Sequence, residues 1–404
     1  MSLPKIYIAL PVLDEYEYIR NFIQCLSDQT YTDFKLFVCV NQPNDWWDDP
    51  NKTDICLSNQ KTIKYLTGIT AFAVEIIDRS SKGNGWTGKQ YGVGWARKTV
   101  MDAINNEAFK NDIIVSLDAD TEFKPDYLSS IAETFMHNTD STALAIPYYH
   151  KLTNDDHANR AILRYEIYMR YYAVNMLRIG NPYAFTAIGS AMAIPVKAYR
   201  AVGGITPHYS GEDFYFLQKL NKYGRILNWN NEWVYPAARF SDRVFFGTGP
   251  AMIKGKNGDW SSYPIYDHHF FDKVKQTYDL FQELYLTDVE LPMGPFLYKT
   301  FRSKDIWAPL RKNYTTNEQF VKACQNKIDG LRILQFLKSE QKRVKQTNEE
   351  NLLAWLFKFC DKKELNKLGI DFNEVNFEKL SIDDLNKLRN FLMKIENEYR
   401  KEKS

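Results

Sequence analysis

The sequence is poor in cysteine, and its five cysteines, Cys25, Cys39, Cys56, Cys324 and Cys360, are scattered, odd in number and free of any CxxC pair. Such spacing suggests neither a disulfide framework nor a zinc site, and a reducing compartment fits best. Long hydrophobic runs are missing too: no uncharged stretch approaches the roughly 20 apolar residues needed to span a bilayer, so no integral membrane segment is expected. The opening MSLPKIYIALPVL turns polar at Asp14 and has no small-residue cleavage site, so it is expected to be a buried first strand rather than a signal peptide. Net charge is almost absent. A formal +2, from 52 basic and 50 acidic residues, lacks the signature of a nucleic-acid binder. These absences predict a cytoplasmic protein, with peripheral contact to a membrane left open. The glycine cluster SSKGNGWTGK at 80–89 has neither Walker A nor GxGxxG spacing, which removes support for a kinase or a dehydrogenase.

What the sequence has is apolar mass, 44% of residues, and aromatic residues, 15%. A chain of 404 residues exceeds the usual single core, so a principal domain with one appended piece is expected. Up to about residue 145, short β-branched or apolar runs alternate with amphipathic stretches. Strands are predicted at 5–12, 34–41, 72–78, 112–118 and 142–147, and helices at 15–28, 59–67, 91–106 and 125–137. Repeated strand-helix-strand units with short connections imply an α/β fold with a mostly parallel sheet covered by helices. Ligands of such sheets bind beyond the carboxyl ends of the strands, which singles out 11–15, 41–45, 78–89 and 118–120.

A helix over 154–179 carries a stripe of Tyr165, Tyr168, Met169 and Tyr172, a pattern that reads as core. The run GSAMAIPVKAYRAVGG at 189–204 reads as a small-residue strand, a turn and a short helix. From about residue 303 glycine and strand patterns almost vanish and helical apolar spacing takes over. The division expected is therefore 1–300 for the principal domain and 301–404 for a helical C-terminal region. From residue 300 onward there are 22 Lys and Arg against 16 Asp and Glu. That surplus suits either an acidic partner or membrane surface, or an ordinary solvated bundle.

The strongest chemical signal is IIVSLDAD at 113–120, a buried strand ending in two carboxylates one residue apart. Asp118 and Asp120 can both reach one hard cation, Mg2+ or Mn2+, of the kind a departing diphosphate needs. As plain structure, the pair could instead form a turn or cap a helix near Pro125. A second acidic pair, Glu212 and Asp213, follows Gly211 and opens an amphipathic helix in GEDFYFLQKLNKYG. Helix capping accounts for one acid, and a general base for an acceptor hydroxyl would account for the other. In YPAARFSDRVFFGTG at 235–249, Arg239 and Arg243 precede a glycine loop. They read as a lid on a diphosphate or acidic acceptor, or as an Arg-Asp pair in a turn. Trp86 suits stacking on a sugar or base, and equally packing on the sheet. His208, His268 and His269 are the histidines that could add a metal ligand or be structural.

PVLDE at 11–15, a second strand ending at Asn41, GKQYGVGWARK, LDAD, GSAMAIPVKAYRAVGG and GEDFYFLQKLNKYG occur in an order that resembles glycosyltransferase family 2 over about residues 4–250. The resemblance implies a GT-A fold and transfer of a sugar from a nucleotide-sugar donor, with Mn2+ or Mg2+; it does not identify the acceptor, for which a saccharide, a small molecule and a lipid-linked molecule stay open. It also implies that Asp118 touches the ribose or donor sugar, Asp120 holds the metal, Asp213 is the base of an inverting reaction and Glu212 lies beside it. Pro11, Leu13 and Glu15 would surround the nucleoside, and Lys89 would contact the nucleotide or its diphosphate. Asn41 stands where the family usually has an acid reading the base, and Asp14 where it usually has Asn. The QxxRW sequence of the processive synthases is absent, which argues against polymer extrusion. The rivals are a retaining transferase of the same fold and a nucleotidyltransferase, the latter disfavoured because the first strand runs into PVLDEYE rather than a glycine-rich basic loop.

Overall fold

The structure, a computed structural model, describes residues 3–209, 211–239, 253–255, 258–261, 263–303, 305–373 and 375–402. The chain divides into two compact units, one formed by Met1–Ile162 and Phe185–Gly258, the other by Leu163–Ala184 and Asp259–Glu402. Packing puts the change of unit near 258 and assigns Leu163–Ala184 to the second unit. The reason is aromatic: Tyr171 and Tyr172 stack edge-on against Phe271, and Tyr165 against Tyr263. Of the stripe, Tyr165 is buried, while Tyr168, Met169 and Tyr172 are half-buried.

In the first unit, β1 (Ile6–Val12), β2 (Phe34–Asn41), β3 (Ala73–Arg79) and β4 (Ile113–Ser116) are joined by α1 (Tyr16–Ser27), α2 (Thr53–Thr67) and α3 (Val93–Glu107). β1 pairs in parallel with β2 on one side and β4 on the other, and β2 pairs in parallel with β3. Every residue of β1 is buried, and a strand covered on both faces reads as an unbroken apolar run. After β4 come β5 (Thr121–Phe123), α4 (Tyr127–His137), β6 (Ala143–Ala145), α5 (Asp156–Arg178), β7 (Met192–Pro195), α6 (Val196–Ala201), α7 (Glu212–Tyr223), β8 (Ile226–Leu227) and β9 (Val234–Pro236). The seven-stranded sheet runs β3-β2-β1-β4-β7-β6-β8, with β7 antiparallel to both neighbours, and β5 pairs separately with β9. Strand order reverses at β1, so the chain ends after β1, β2 and β4 open onto one crevice. Val100, Met101 and Ile104 of α3 and Phe216, Leu217 and Leu220 of α7 share a core with Tyr7, Phe37 and Ile194 of the sheet.

The second unit is helical. Its helix Ile382–Glu402 is tied to the Leu163–Arg178 part of α5 by a buried ionic network. Arg170 contacts Glu166 at 3.1 Å and Glu396 at 2.8 Å, and Arg389 lies 3.6 Å from Glu166. Buried ions of this kind tolerate little change, because removing one partner strands the other's charge. Among the described residues no helix is long and apolar enough to cross a membrane.

Candidate functional site

Asp118 and Asp120 lie in the turn that carries the chain from β4 into β5, where the Thr121 N–H bonds the Asp118 carbonyl at 3.1 Å. Neither caps α4, because β5 intervenes and the N-cap of α4 is Asp126. The pairing of β5 with β9 brings a distant segment alongside: the Ala237 N–H bonds the Asp120 carbonyl at 3.1 Å. Two residues later, Arg239 donates to Asp120 Oδ2 at 2.7 Å and to Glu15 Oε1 at 2.7 Å, with its guanidinium 4.4 Å from the Tyr18 ring centre. Burial works against that charge, but Asp120 and Glu15 overcome it and raise the Arg239 pKa. Arg243, the second half of the expected lid, lies outside the described residues.

The two acidic pairs are joined by a residue whose role the sequence reading did not single out. Arg97, buried on α3, donates through Nη2 to Asp118 Oδ1 at 2.9 Å and through Nε to Glu212 Oε1 at 3.0 Å. Its Nη1 bonds the Gly189 carbonyl at 2.9 Å and the Ser116 hydroxyl. Gly189 makes room for it, since a Cβ there would fall 2.5 Å from Nη2. Burial opposes the charge, and the carboxylates of Asp118 and Glu212 reverse that and raise the pKa. The signal available in the sequence was an arginine at an apolar-face position of α3, alongside Gly94, Val100, Met101 and Ile104.

Gly211, with φ +76°, supplies the left-handed turn that starts α7 and places Glu212 and Asp213 in its first turn. Glu212 is held by Arg97, whereas Asp213 accepts the Phe214 N–H at 2.7 Å. Burial, and then the adjacent Glu212 carboxylate, push the Asp213 pKa up to about 7. A carboxyl group poised there changes charge near neutral pH, as a general base requires.

At the carboxyl end of β1, Pro11 is buried, Leu13 is half-buried, and Asp14 takes a φ of +56° with its N–H bonded to Asn59 Oδ1 at 2.9 Å. Asn and Asp tolerate that conformation better than most residues. Asn41 donates to the Val12 carbonyl at 2.8 Å and accepts from Trp86 Nε1 at 3.2 Å. A carboxylate could not make both bonds, which gives a local reason for an amide here. Trp86 is packed at the end of β2, where its N–H bonds the Gln42 carbonyl at 2.9 Å. Lys89 is exposed, and its carbonyl accepts the Tyr209 hydroxyl at 2.5 Å.

His208 stacks on Tyr215 with ring centres 4.6 Å apart. His268 and His269 belong to the second unit, where they gather with Asp267. Lys358 Nζ stands 3.1 Å from His268 Nε2. Burial, then His269 and Lys358, push the His268 pKa down to about 4. A facing ammonium is a poor neighbour for a metal ion.

Residues 113–272, which include both acidic pairs, match the sequence family described as Glycosyl transferase family group 2. That stretch of the chain is of the family 2 glycosyltransferase type. No curated protein matches this transferase. Among solved structures it is similar to S. aureus TarS 1-349 in complex with UDP-GlcNAc, at 12% identity and a TM-score of 0.42, over 98% of this chain and 92% of that one. It is also similar to the mannosyltransferase PcManGT from Pyrobaculum calidifontis in complex with GDP-Man and Mn2+, at 12% identity and a TM-score of 0.40, over 85% of this chain and 81% of that one.

Proposed function

We propose that this glycosyltransferase moves a sugar from a nucleoside-diphosphate donor onto a hydroxyl of a saccharide, small-molecule or lipid-linked acceptor, with inversion at the anomeric carbon and with a divalent cation. The observation that carries the reading is the Arg97 bridge. One buried guanidinium ties Asp118 to Glu212, beside an Asp213 held near neutrality. Donor contacts are assigned to Pro11, Leu13, Glu15, Asn41, Lys89 and Asp118, and both donor binding and chemistry to the first unit.

The donor set suits a hard cation. Mg2+ and Mn2+ are commonly held by one or two carboxylates completed by substrate phosphate oxygens, and Asp120 with Asp118 offers such a pair. The ion, Mn2+ or Mg2+, would neutralise charge on the departing diphosphate. Arg239, already on Asp120, is the protein cation best placed to pass to that diphosphate.

In the reaction, Asp213 takes the acceptor's proton as its oxygen bonds to the anomeric carbon and the bond to the diphosphate oxygen breaks. Arg97 fixes Glu212, so that Asp213 is the member of the pair left to receive the proton. Five free cysteines fit a cytoplasmic location, with peripheral membrane contact if the acceptor is lipid-linked. The test is incubation with a panel of UDP- and GDP-sugars and Mn2+, with NMR of the product. Retention of anomeric configuration refutes the base assignment, and absence of both transfer and donor hydrolysis across the panel refutes the donor class.

A further inference from the structure

The stretch GKQYGVGWARK at 88–98 carries two buried residues one turn apart on α3, Gly94 and Arg97. Arg97 holds Glu212. Gly94 has a different neighbour. A Cβ added to it would stand 2.1 Å from the His208 carbonyl oxygen and 2.8 Å from the His208 nitrogen. Both atoms are backbone and cannot swing aside as a side chain could, so a larger residue must drive the chain at 208 away by about 1 Å to restore ordinary contact. Ala favours a helix more than Gly does, so the helix itself gives no reason for glycine here. The reason is the approach of His208.

The segment pressed against α3 leads into the second acidic pair. One turn of α3 therefore meets the entry to α7 twice, through the His208 backbone at Gly94 and through the Glu212 carboxylate at Arg97. A third contact lies just before α3: the Tyr209 hydroxyl donates to the Lys89 carbonyl at 2.5 Å, and the Tyr209 and Tyr91 rings meet edge-on with centres 5.7 Å apart. Both rings are exposed, so this contact is not core packing. The chain entering α3 and the chain entering α7 are thus clasped together within the first unit.

We infer that Gly94, seconded by Tyr209, is a positioning residue for Asp213, because the close approach it permits sets where the entry to α7 lies. The inference rests on the base role proposed above for Asp213. Arg97 pins Glu212, so a chain displaced at 208 must take up the change between the two, at the left-handed Gly211 and the start of α7. Asp213 sits there, and its carboxylate loses its reach toward the reacting hydroxyl.

The experiment compares Gly94→Ala with the parent, both as the full chain labelled with carbon-13 at the aspartate carboxyls, at a temperature where circular dichroism shows both folded. The Asp213 resonance, identified by its loss in Asp213→Asn, should move, while that of Asp120, identified by its loss in Asp120→Asn, should stay. In Mn2+, hydrolysis of the UDP- or GDP-sugar that the parent turns over fastest should fall about 100-fold in kcat, as a misplacement of about 1 Å can cause, with UDP or GDP affinity kept within a few-fold. A merely structural glycine would lower Tm and leave the kcat of the folded protein alone. An unmoved Asp213 resonance, an undiminished kcat, or a nucleotide affinity that falls in step with kcat overturns the inference. If Gly94→Ala does not fold, Tyr209→Phe, an exposed change, decides: its kcat should fall about fivefold, the worth of one hydrogen bond, and a kcat equal to the parent's overturns the inference. A parent that turns over no donor refutes the transfer reading instead, and the Asp213 resonance still decides whether Gly94 places that residue.

Discussion

Arg239 and Asp120 are joined by a two-armed contact, with Nε and Nη2 of the guanidinium 2.7 and 2.6 Å from the same carboxylate oxygen, Oδ2. The same Nη2 reaches Glu15, so one arginine neutralises a carboxylate at the end of the β1 crevice and another beyond β4. A divalent ion on Asp120 must displace or share that contact. Arg239→Met, which keeps length and loses charge, should therefore bind Mn2+ alone about tenfold more tightly while binding UDP or GDP more weakly. Titration of Mn2+ by electron paramagnetic resonance, with and without nucleotide, reads both effects. Equal or weaker Mn2+ affinity in the variant would mean that the arginine does not compete for the site.

Asp120→Asn removes one charged oxygen ligand and leaves a near-isosteric side chain. Nucleoside-diphosphate binding in Mn2+ should drop, while the residual affinity in chelator should match the parent's. Calorimetry on both proteins measures this, and unchanged metal-dependent binding would remove Asp120 from the metal site.

Arg97 makes a sharper claim on stability. With its buried guanidinium 2.9 Å from the partly exposed Asp118 and 3.0 Å from the buried Glu212, Arg97→Met strands the Glu212 carboxylate. Breaking a buried pair typically costs about 3–5 kcal/mol, which denaturant unfolding resolves. The Arg97 charge also holds the Asp213 pKa below where burial and Glu212 alone would set it. In the folded fraction of the variant, the acid limb of the kcat/KM profile should move to higher pH. A purely structural arginine would lower stability without moving that limb.

The legible parts of this molecule are those where one physical signal dominates. β1 and β2 are apolar along nearly their whole length because both faces are covered, and such runs declare themselves. β5 is three residues long, and its partner β9 lies over a hundred positions away, so no local pattern announces it. Yet that pairing carries Arg239 to Asp120, and the two residues were noticed in sequence without any sign that they meet. Arg97 escaped for a different reason. A reading that scores acids at strand ends passes over a cation on an apolar helix face, although that misplacement is itself the clue. The division near 258 has no comparable local signal, because the helix His268–Asp279 just beyond it is as long as Gly330–Gln341 and Asn348–Phe359 further along the chain.

Asp213 ties catalysis to stability through one ionisation. Its folded pKa is raised to about 7 from the ordinary 3.8, so the folded protein holds a proton that the unfolded chain has released. Below the unfolded value both states are protonated and the residue costs nothing. As pH rises from about 4 toward 7 the native state loses stability, and above about 7 the penalty is constant. Activity runs the other way, since only the ionised form can accept the acceptor's proton and turnover should rise through the same interval. Asp213→Asn separates these effects. It cannot take the proton, so turnover should fall by roughly two orders of magnitude or more, about 2.7 kcal/mol of transition-state stabilisation, with nucleotide affinity kept within a few-fold. It also carries no charge to desolvate, so its Tm should exceed the parent's by more at pH 8 than at pH 5. If Asp213 served only to receive the Phe214 N–H at the start of α7, Asn would cap nearly as well and activity would survive. Turnover, nucleotide affinity and Tm at the two pH values, measured on this one variant, decide between base and cap, and near-normal turnover would end the inverting proposal.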